Sequence, residues 1–195
     1  MDRKSRDDVM AMSGITDEGL VGAALSGDDE AFAELIRRHK RKVASTASRF
    51  ARDIQELDDI CQDIFIKVYQ NLGGFRGDAP FSHWLMRIAV RTCYDALRAR
   101  RRERLNVPLD SVDFALGGPS TEGQESARHA KFLLDRVMPR LKPEERLVIT
   151  LVELEGYSVK EVAGLTGWSE SNVKVRAFRA RHALKKLIGE EYETG

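Results

Sequence analysis

The chain has little cysteine: Cys61 and Cys93 are its two thiols in 195 residues. Neither belongs to a C-x-x-C or metal-ligand spacing. Both fall within helical patterns, where cysteine reads as a small buried hydrophobe, and such usage points to a reducing compartment. No apolar run reaches the ~18 residues of a membrane span. The N-terminal MDRKSRDDVMAMSGI lacks the apolar core of a secretory signal. The expected location is therefore the cytoplasm, without direct membrane insertion. Strand-like alternation is missing as well, so the pattern is helical almost throughout. His39, His83, His129 and His182 are scattered without metal spacing. No nucleophile motif is present, and the glycine-rich stretch at 73–77 lacks the Lys-Ser/Thr of a phosphate loop. An enzyme is not expected, nor a metal or other cofactor.

What is present begins with charge. A net +1 conceals segregation. Residues 81–104 carry seven arginines against Asp95 and Glu103. Residues 169–188 carry Lys174, Arg176, Arg179, Arg181, Lys185 and Lys186 against Glu170. Residues 51–70 are acidic, with Asp53, Glu56, Asp58, Asp59 and Asp63 against Arg52 and Lys67. Two basic patches and a separate acidic one suggest a polyanion and a distinct protein partner.

The spacing predicts two all-helical modules, 15–102 and 125–190, after a frayed tail at 1–14. Thr16 caps a short helix ending near Gly27, and Asp28 opens a long one with Phe32, Leu35, Ile36, Val43, Ala47 and Phe50 inward. A third helix runs from about Gln55 to Leu72, and a fourth from about Phe81 to Arg102. Residues 103–124, with two prolines, three glycines and no helical period, read as a linker. Helices resume near Glu125. Pro139 interrupts them, and Pro143 with Glu144 and Glu145 opens the next.

Between Leu151 and Ile188 the sequence reads as a helix-turn-helix. Ser158 and Glu161 form a capping box, and Val162, Ala163 and Leu165 face inward. Gly167 makes the turn, and Ser169 caps the second helix. There Val173, Ala177, Ala180, Leu184 and Leu187 make one stripe. Opposite lie Ser171, Val175, Phe178, Arg179 and His182, flanked by Lys174 and Arg181. A basic outer face on the second helix suits a DNA major groove.

The middle helices carry two further surfaces. Arg87, Arg91, Tyr94 and Arg98 fall on one stripe of the Phe81 helix, bordered by Trp84. Basic residues interleaved with aromatics suit a nucleic-acid strand; the alternative is a solvated basic face with the aromatics in the core. The preceding GGFRGDAPF loop permits close backbone approach, and Phe75 in it has no periodic partner that would make it core. On the Gln55 helix, Leu57, Ile60, Cys61, Ile64, Phe65, Val68 and Leu72 point inward. Its other side holds Asp58, Asp59, Gln62, Asp63, Ile66, Tyr69 and Gln70, an apolar centre with a charged rim. That composition suggests a protein interface; burial against the first long helix is the alternative.

Five stretches, in order, resemble the extracytoplasmic-function sigma factors of bacterial RNA polymerase, a branch of the sigma-70 superfamily. They are GDDEAFAELIRRHKRKV, LDDICQDIFIKVYQNLGGFRG, FSHWLMRIAVRTCYDALR, LKPEERLVITLVELEGYSVKEVAGLTG and NVKVRAFRARHALKK. The resemblance implies a helical sigma region 2 in the first module and a helix-turn-helix region 4 in the second. It implies docking of Asp58, Asp59, Gln62, Asp63 and Ile66 on the beta-prime clamp helices of core polymerase, with a further contact of the chain to the beta flap. It implies reading of single-stranded −10 promoter DNA at Asn71, Phe75, Ile88 and Arg91, where a base must leave the stack to be read. Arg76, Trp84, Arg87, Tyr94 and Arg98 complete that expected surface. It implies reading of the −35 duplex at Lys174, Val175, Phe178 and Arg179, with Ser171, Asn172, Arg181 and His182 around them. Members of the group are usually held inactive by an anti-sigma factor, often at the inner membrane face. The chain departs from the group's common residues at Arg91, Ser171-Asn172 and Val175, which bears on the promoter sequence read. The competing class is a free-standing helix-turn-helix regulator. It needs a dimer on two half-sites, and the sequence offers no heptad stripe.

Overall fold

The computed structural model describes residues 14–106 and 125–194. All regular structure among them is helical, and they fall into two compact units, one through Cys93 and one from Tyr94. The expected linker lies outside the described residues from 107 onward. Its first residues, 103–106, instead continue the preceding helix.

The first unit starts with α1 (Asp17–Leu25) and α2 (Asp29–Ser48). Their starts are local chemistry. Thr16 Oγ1 accepts from Gly19 N–H, and Asp28 Oδ1 accepts from Glu30 and Ala31 N–H, so orphan amide donors are satisfied at each N-terminus. Gly27 takes φ +95, a value that L side chains rarely adopt, and turns the chain between them. Asp53 caps α3 (Ile54–Asn71) through Glu56 N–H. A single 3-10 turn, Leu72–Gly74, follows. The helix α4 (Phe81–Asn106) begins at Pro80, whose carbonyl accepts from His83 and Trp84 N–H. Leu20, Leu35, Val43, Ala47, Phe50, Ile60, Ile64, Val68 and Leu72 are buried, as are Phe81, Leu85, Ala89 and Cys93 from α4. Phe32 and Ile36, expected inward, are half-buried, as are Leu57, Cys61 and Phe65. Lys67 Nζ donates to the buried Thr92 Oγ1 at 3.3 Å, joining α3 to α4.

One buried charge stands inside this unit. Glu34 is 4% exposed, yet it accepts from Arg37 Nε and Nη2 at 2.6 Å and from Arg38 Nε at 2.8 Å. Those bonds, Arg37's first, hold its carboxyl below the ordinary glutamate value against the opposing effect of burial. Burial pushes the Cys93 thiol up to about 12 and raises that of Cys61 as well. Both are free thiols, Cys93 buried and Cys61 half-buried, so Cys93 serves as the small core hydrophobe expected of it.

The second unit contains the rest of α4, then α5 (Glu125–Val137), a 3-10 turn at Met138–Arg140 and α6 (Pro143–Ile149). Pro143 stands at the first helical position, and Lys142 N–H donates to Glu145 Oε2. The next turn, Thr150–Leu154, is a π-helix. Then come α7 (Val159–Thr166) and the long α8 (Glu170–Thr194), which overruns its expected end at Ile188. Met138, Leu141, Ile149 and Ala180 form a core cluster, with Leu134, Ala183, Leu184 and Leu187 packed on it. The last turns of α8 are held by Arg136 to Glu191 at 2.9 Å and Arg140 to Glu190 at 2.6 Å.

Candidate nucleic-acid interface

The helix-turn-helix is built by short-range chemistry. Ser158 Oγ accepts from Glu161 N–H at 3.3 Å, and Glu161 Oε2 accepts from Ser158 N–H at 2.8 Å. Gly167 closes α7 with φ +79. Ser169 Oγ accepts from Asn172 N–H at 3.2 Å and starts α8. Val173, Ala177 and Ala180 are buried, which turns Ser171, Lys174, Val175, Phe178, Arg179 and His182 to solvent. Phe178 is 72% exposed. With Val175, 48% exposed and three residues before it, Phe178 makes an apolar strip among basic side chains, available to a surface that covers it.

Two expected members of this face are already engaged. Arg181, exposed, pairs with Glu153 of the π-helix at 2.7 Å. Both partners are well exposed, and a surface pair is worth only about 0–1 kcal/mol, so a phosphate can displace Glu153. Asn172 Oδ1 accepts from Arg176 Nε at 2.5 Å. The Arg176 guanidinium also lies over the Trp168 ring, 4.2 Å from its centroid, a cation–π contact that fixes its direction. Arg176 was absent from the expected face. The signal for it was the i, i+4 spacing to Asn172 together with a tryptophan in the turn.

In the first unit the GGFRGDAPF stretch begins within the 3-10 turn and ends on the first residue of α4, with Gly77 at φ +75. Phe75 does have partners, contrary to expectation. It meets Phe81 edge-on at 5.6 Å and Trp84 at 5.7 Å. The periodic pattern missed this because both partners lie beyond the loop. Asn71 turns back, its Nδ2 donating to Lys67 O at 2.7 Å. Arg76, Arg87 and Arg91 are exposed, while Trp84 and Ile88 are half-buried. Further along the same helix, in the second unit, Arg98 lies 5.8 Å over the half-buried Tyr94 ring. The acidic side of α3 is outward: Asp58, Asp59, Gln62, Asp63, Ile66, Tyr69 and Gln70 are all exposed. The exposed Tyr69 ring meets Phe32 of α2 edge-on at 5.0 Å. Among the described residues no three His, Cys, Asp or Glu are grouped to hold a metal ion.

A capped helix-turn-helix with a basic, partly apolar outer face, in a chain with a second helical unit, defines a DNA-directed helical protein. Comparison with known proteins narrows this. Residues 35–103 match the family model of sigma-70 region 2, and residues 131–184 match that of sigma-70 region 4. The ECF RNA polymerase sigma factor SigM of Mycobacterium tuberculosis is 34% identical over 89% of this chain and 85% of its own. The ECF RNA polymerase sigma-E factor of Escherichia coli is 35% identical over 89% of this chain and 95% of its own. The solved structure of CnrH in complex with the cytosolic domain of CnrY superposes with a TM-score of 0.59 at 30% identity, covering 89% of this chain and 97% of that one. The chain belongs to the ECF RNA polymerase sigma factors of the sigma-70 family, transcription initiation factors without catalytic activity of their own.

Proposed function

We propose that this chain binds core RNA polymerase through the outward side of α3 and directs it to promoters by two readings of DNA. The exposed face of α8 reads the −35 duplex: Lys174, Val175, Phe178 and Arg179 at the base edges, with Ser171, Asn172, Arg181 and His182 on the flanks. The Phe75 loop and α4 capture the opened −10 strand, with Asn71, Arg76, Trp84, Arg87, Ile88, Arg91, Tyr94 and Arg98 as its surface. The clamp helices of the beta-prime subunit take Asp58, Asp59, Gln62, Asp63 and Ile66, and the beta flap makes a further contact. One observation carries the reading: Phe178, a large apolar ring, stands in water at the centre of a basic helix face. Thymine methyl groups are the apolar feature of the major groove, and arginine pairs with guanine edges there.

The chain acts in the cytoplasm, and an anti-sigma factor holds it, at the inner membrane face where that partner is membrane-bound. Two observations support this. Among the described residues no helix is long and apolar enough to cross a membrane. CnrH, a structural relative, is in complex with a cytosolic domain of its partner. The decisive experiment is run-off transcription. Core polymerase with this chain should produce a defined transcript from a promoter fragment selected by the mixture out of a randomised pool. Failure to join core polymerase, with dimeric binding of duplex DNA by the chain alone, would favour a free-standing regulator instead.

A further inference from the structure

Resting on the reading of the Phe75 loop as the −10 contact, we infer that His39 and Asp17 are positioning residues for promoter melting. They set the floor on which the Phe75 and Trp84 rings stand. The loop backbone anchors Phe75 at one point, its N–H donating to the carbonyl of the buried Leu72 at 3.0 Å, and Gly77 at positive φ follows. The direction of the Phe75 ring comes from other rings. Phe75, Phe81 and Trp84 form a triangle with centroids 5.6–5.7 Å apart, Phe75 edge-to-face on both partners and Phe81 tilted at 32° to Trp84; edge-to-face contact at this spacing is favourable. Phe81 is the fixed corner, 2% exposed.

Phe81 is met by the imidazole of His39, 5.4 Å away at 59°. His39 stands on α2, outside every promoter-facing segment. Its direction is set by one bond, Nε2–H donating to Asp17 Oδ2 at 2.7 Å; a carboxylate can only accept, so the imidazole must supply the hydrogen. Asp17 is itself anchored. Its Oδ1 accepts from Arg38 Nη1 at 3.1 Å, and the same Nη1 donates to Ile15 O at 2.8 Å. Arg38 also donates to the buried Glu34. An acid in the first turn of α1 favours the helix, but Glu18 supplies that too. What Asp17 adds is a lock on the His39 ring. A reading residue placed by a rigid supporting shell binds in one geometry, whereas a loosened shell lets it sample others.

The test uses the full chain with core polymerase on a promoter fragment selected from a randomised pool by the wild-type mixture. Permanganate reactivity of unpaired thymines reads melting, a −35 duplex alone reads the other contact, and circular dichroism reads folding. Phe75→Ala, as the reference for the −10 reading, should melt poorly. His39→Ala should reduce the melted fraction several-fold, because a loosened shell lets Phe75 sample other geometries, with −35 binding and helicity unchanged. His39→Phe keeps a ring against Phe81 but loses the Asp17 bond, and His39→Gln keeps a donor for Asp17 without a ring, so the phenylalanine variant should recover more melting than glutamine and less than wild type; full recovery by phenylalanine overturns the role of Asp17. If Phe75→Ala fails to melt DNA while His39→Ala melts it normally, the positioning role is overturned and the −10 reading stands. If Phe75→Ala melts normally, both fall. Should His39→Ala lose helicity, the Phe and Gln variants decide: recovery by Gln equal to that by Phe overturns the role of the ring.

Discussion

Arg179 and Arg181 lie two positions apart on α8, both exposed, and differ in what they must give up to meet DNA. Arg181 must leave Glu153 at 2.7 Å, whereas Arg179 projects from the face shared with Val175 and Phe178. Arg179→Ala should therefore weaken binding to the −35 duplex by about 1–3 kcal/mol, the scale of a lost base contact. Fluorescence anisotropy at fixed salt measures it, since phosphate contacts make affinity salt-dependent. Wild-type affinity in this variant would place the reading surface elsewhere. The outward set on α8 was legible because a helix of known start carries its own periodicity: once Ser169 and Val173 are placed, Phe178 and Arg179 have one direction available. Caps were legible for the same reason, since Thr16, Asp28, Ser158 and Gly167 act within a few residues of themselves. The pairs Asp17–His39, Arg181–Glu153 and Phe75–Phe81 were not, because their partners are chosen by how elements pack rather than by spacing along one of them.

At the scale of the element, α2 shows what amphipathic reading overlooks. Its apolar positions were found, but the buried Glu34 was not, because a carboxylate enters a core only when cations follow it. Arg37 and Arg38 are three and four residues on and satisfy it along the helix. Its folded pKa lies below the ordinary value, so its stabilisation is complete above the normal carboxylate range and fades as pH falls through and below that range. Glu34→Gln should lower stability at pH 7 by about 1–2 kcal/mol, less than a fully enclosed pair costs, because both arginines reach water. The difference from wild type, followed by denaturant unfolding, should shrink toward acid pH. A difference that grows on acidification would assign the loss to packing. The π-helix at Thr150–Leu154 was equally hidden. TLVEL reads as ordinary helix, and its distinguishing bond, Glu155 N–H to Thr150 O at 3.0 Å, is a backbone choice made in the folded unit. On α3, by contrast, sequence separated the two sides well. Ile60, Ile64 and Val68 are buried while Asp63 and Ile66 are exposed. Asp63→Arg combined with Ile66→Glu should abolish co-elution with core polymerase and leave helicity by circular dichroism intact. Lost helicity would mean that this side of α3 supports the fold.

At the scale of the whole molecule, residues 107–124 separate the region 2 match (35–103) from the region 4 match (131–184). On the proposed reading each of these two segments reads a few base pairs, and most protein–DNA bonds go to the backbone without discrimination. Neither segment alone should hold a promoter well. Joining them makes the second contact intramolecular, with a millimolar-scale effective concentration when the connection is short and pliant. The requirement on residues 107–124 is then reach, not sequence. Replacing residues 108–122 by an equal length of Gly/Ser should keep substantial run-off transcription. Deleting them removes up to about 50 Å of extended chain, at about 3.3–3.6 Å per residue. The few residues left could not connect the region 2 and region 4 segments held at two promoter elements on the polymerase. The deletion should therefore abolish transcription while each segment stays folded. Either segment, supplied as part of that deleted chain, should still make its own contact: α8 with a −35 duplex, α3 with core polymerase. A deletion variant that initiates as wild type does would show that the two promoter elements are not engaged together across this segment, and that one contact at a time suffices for initiation.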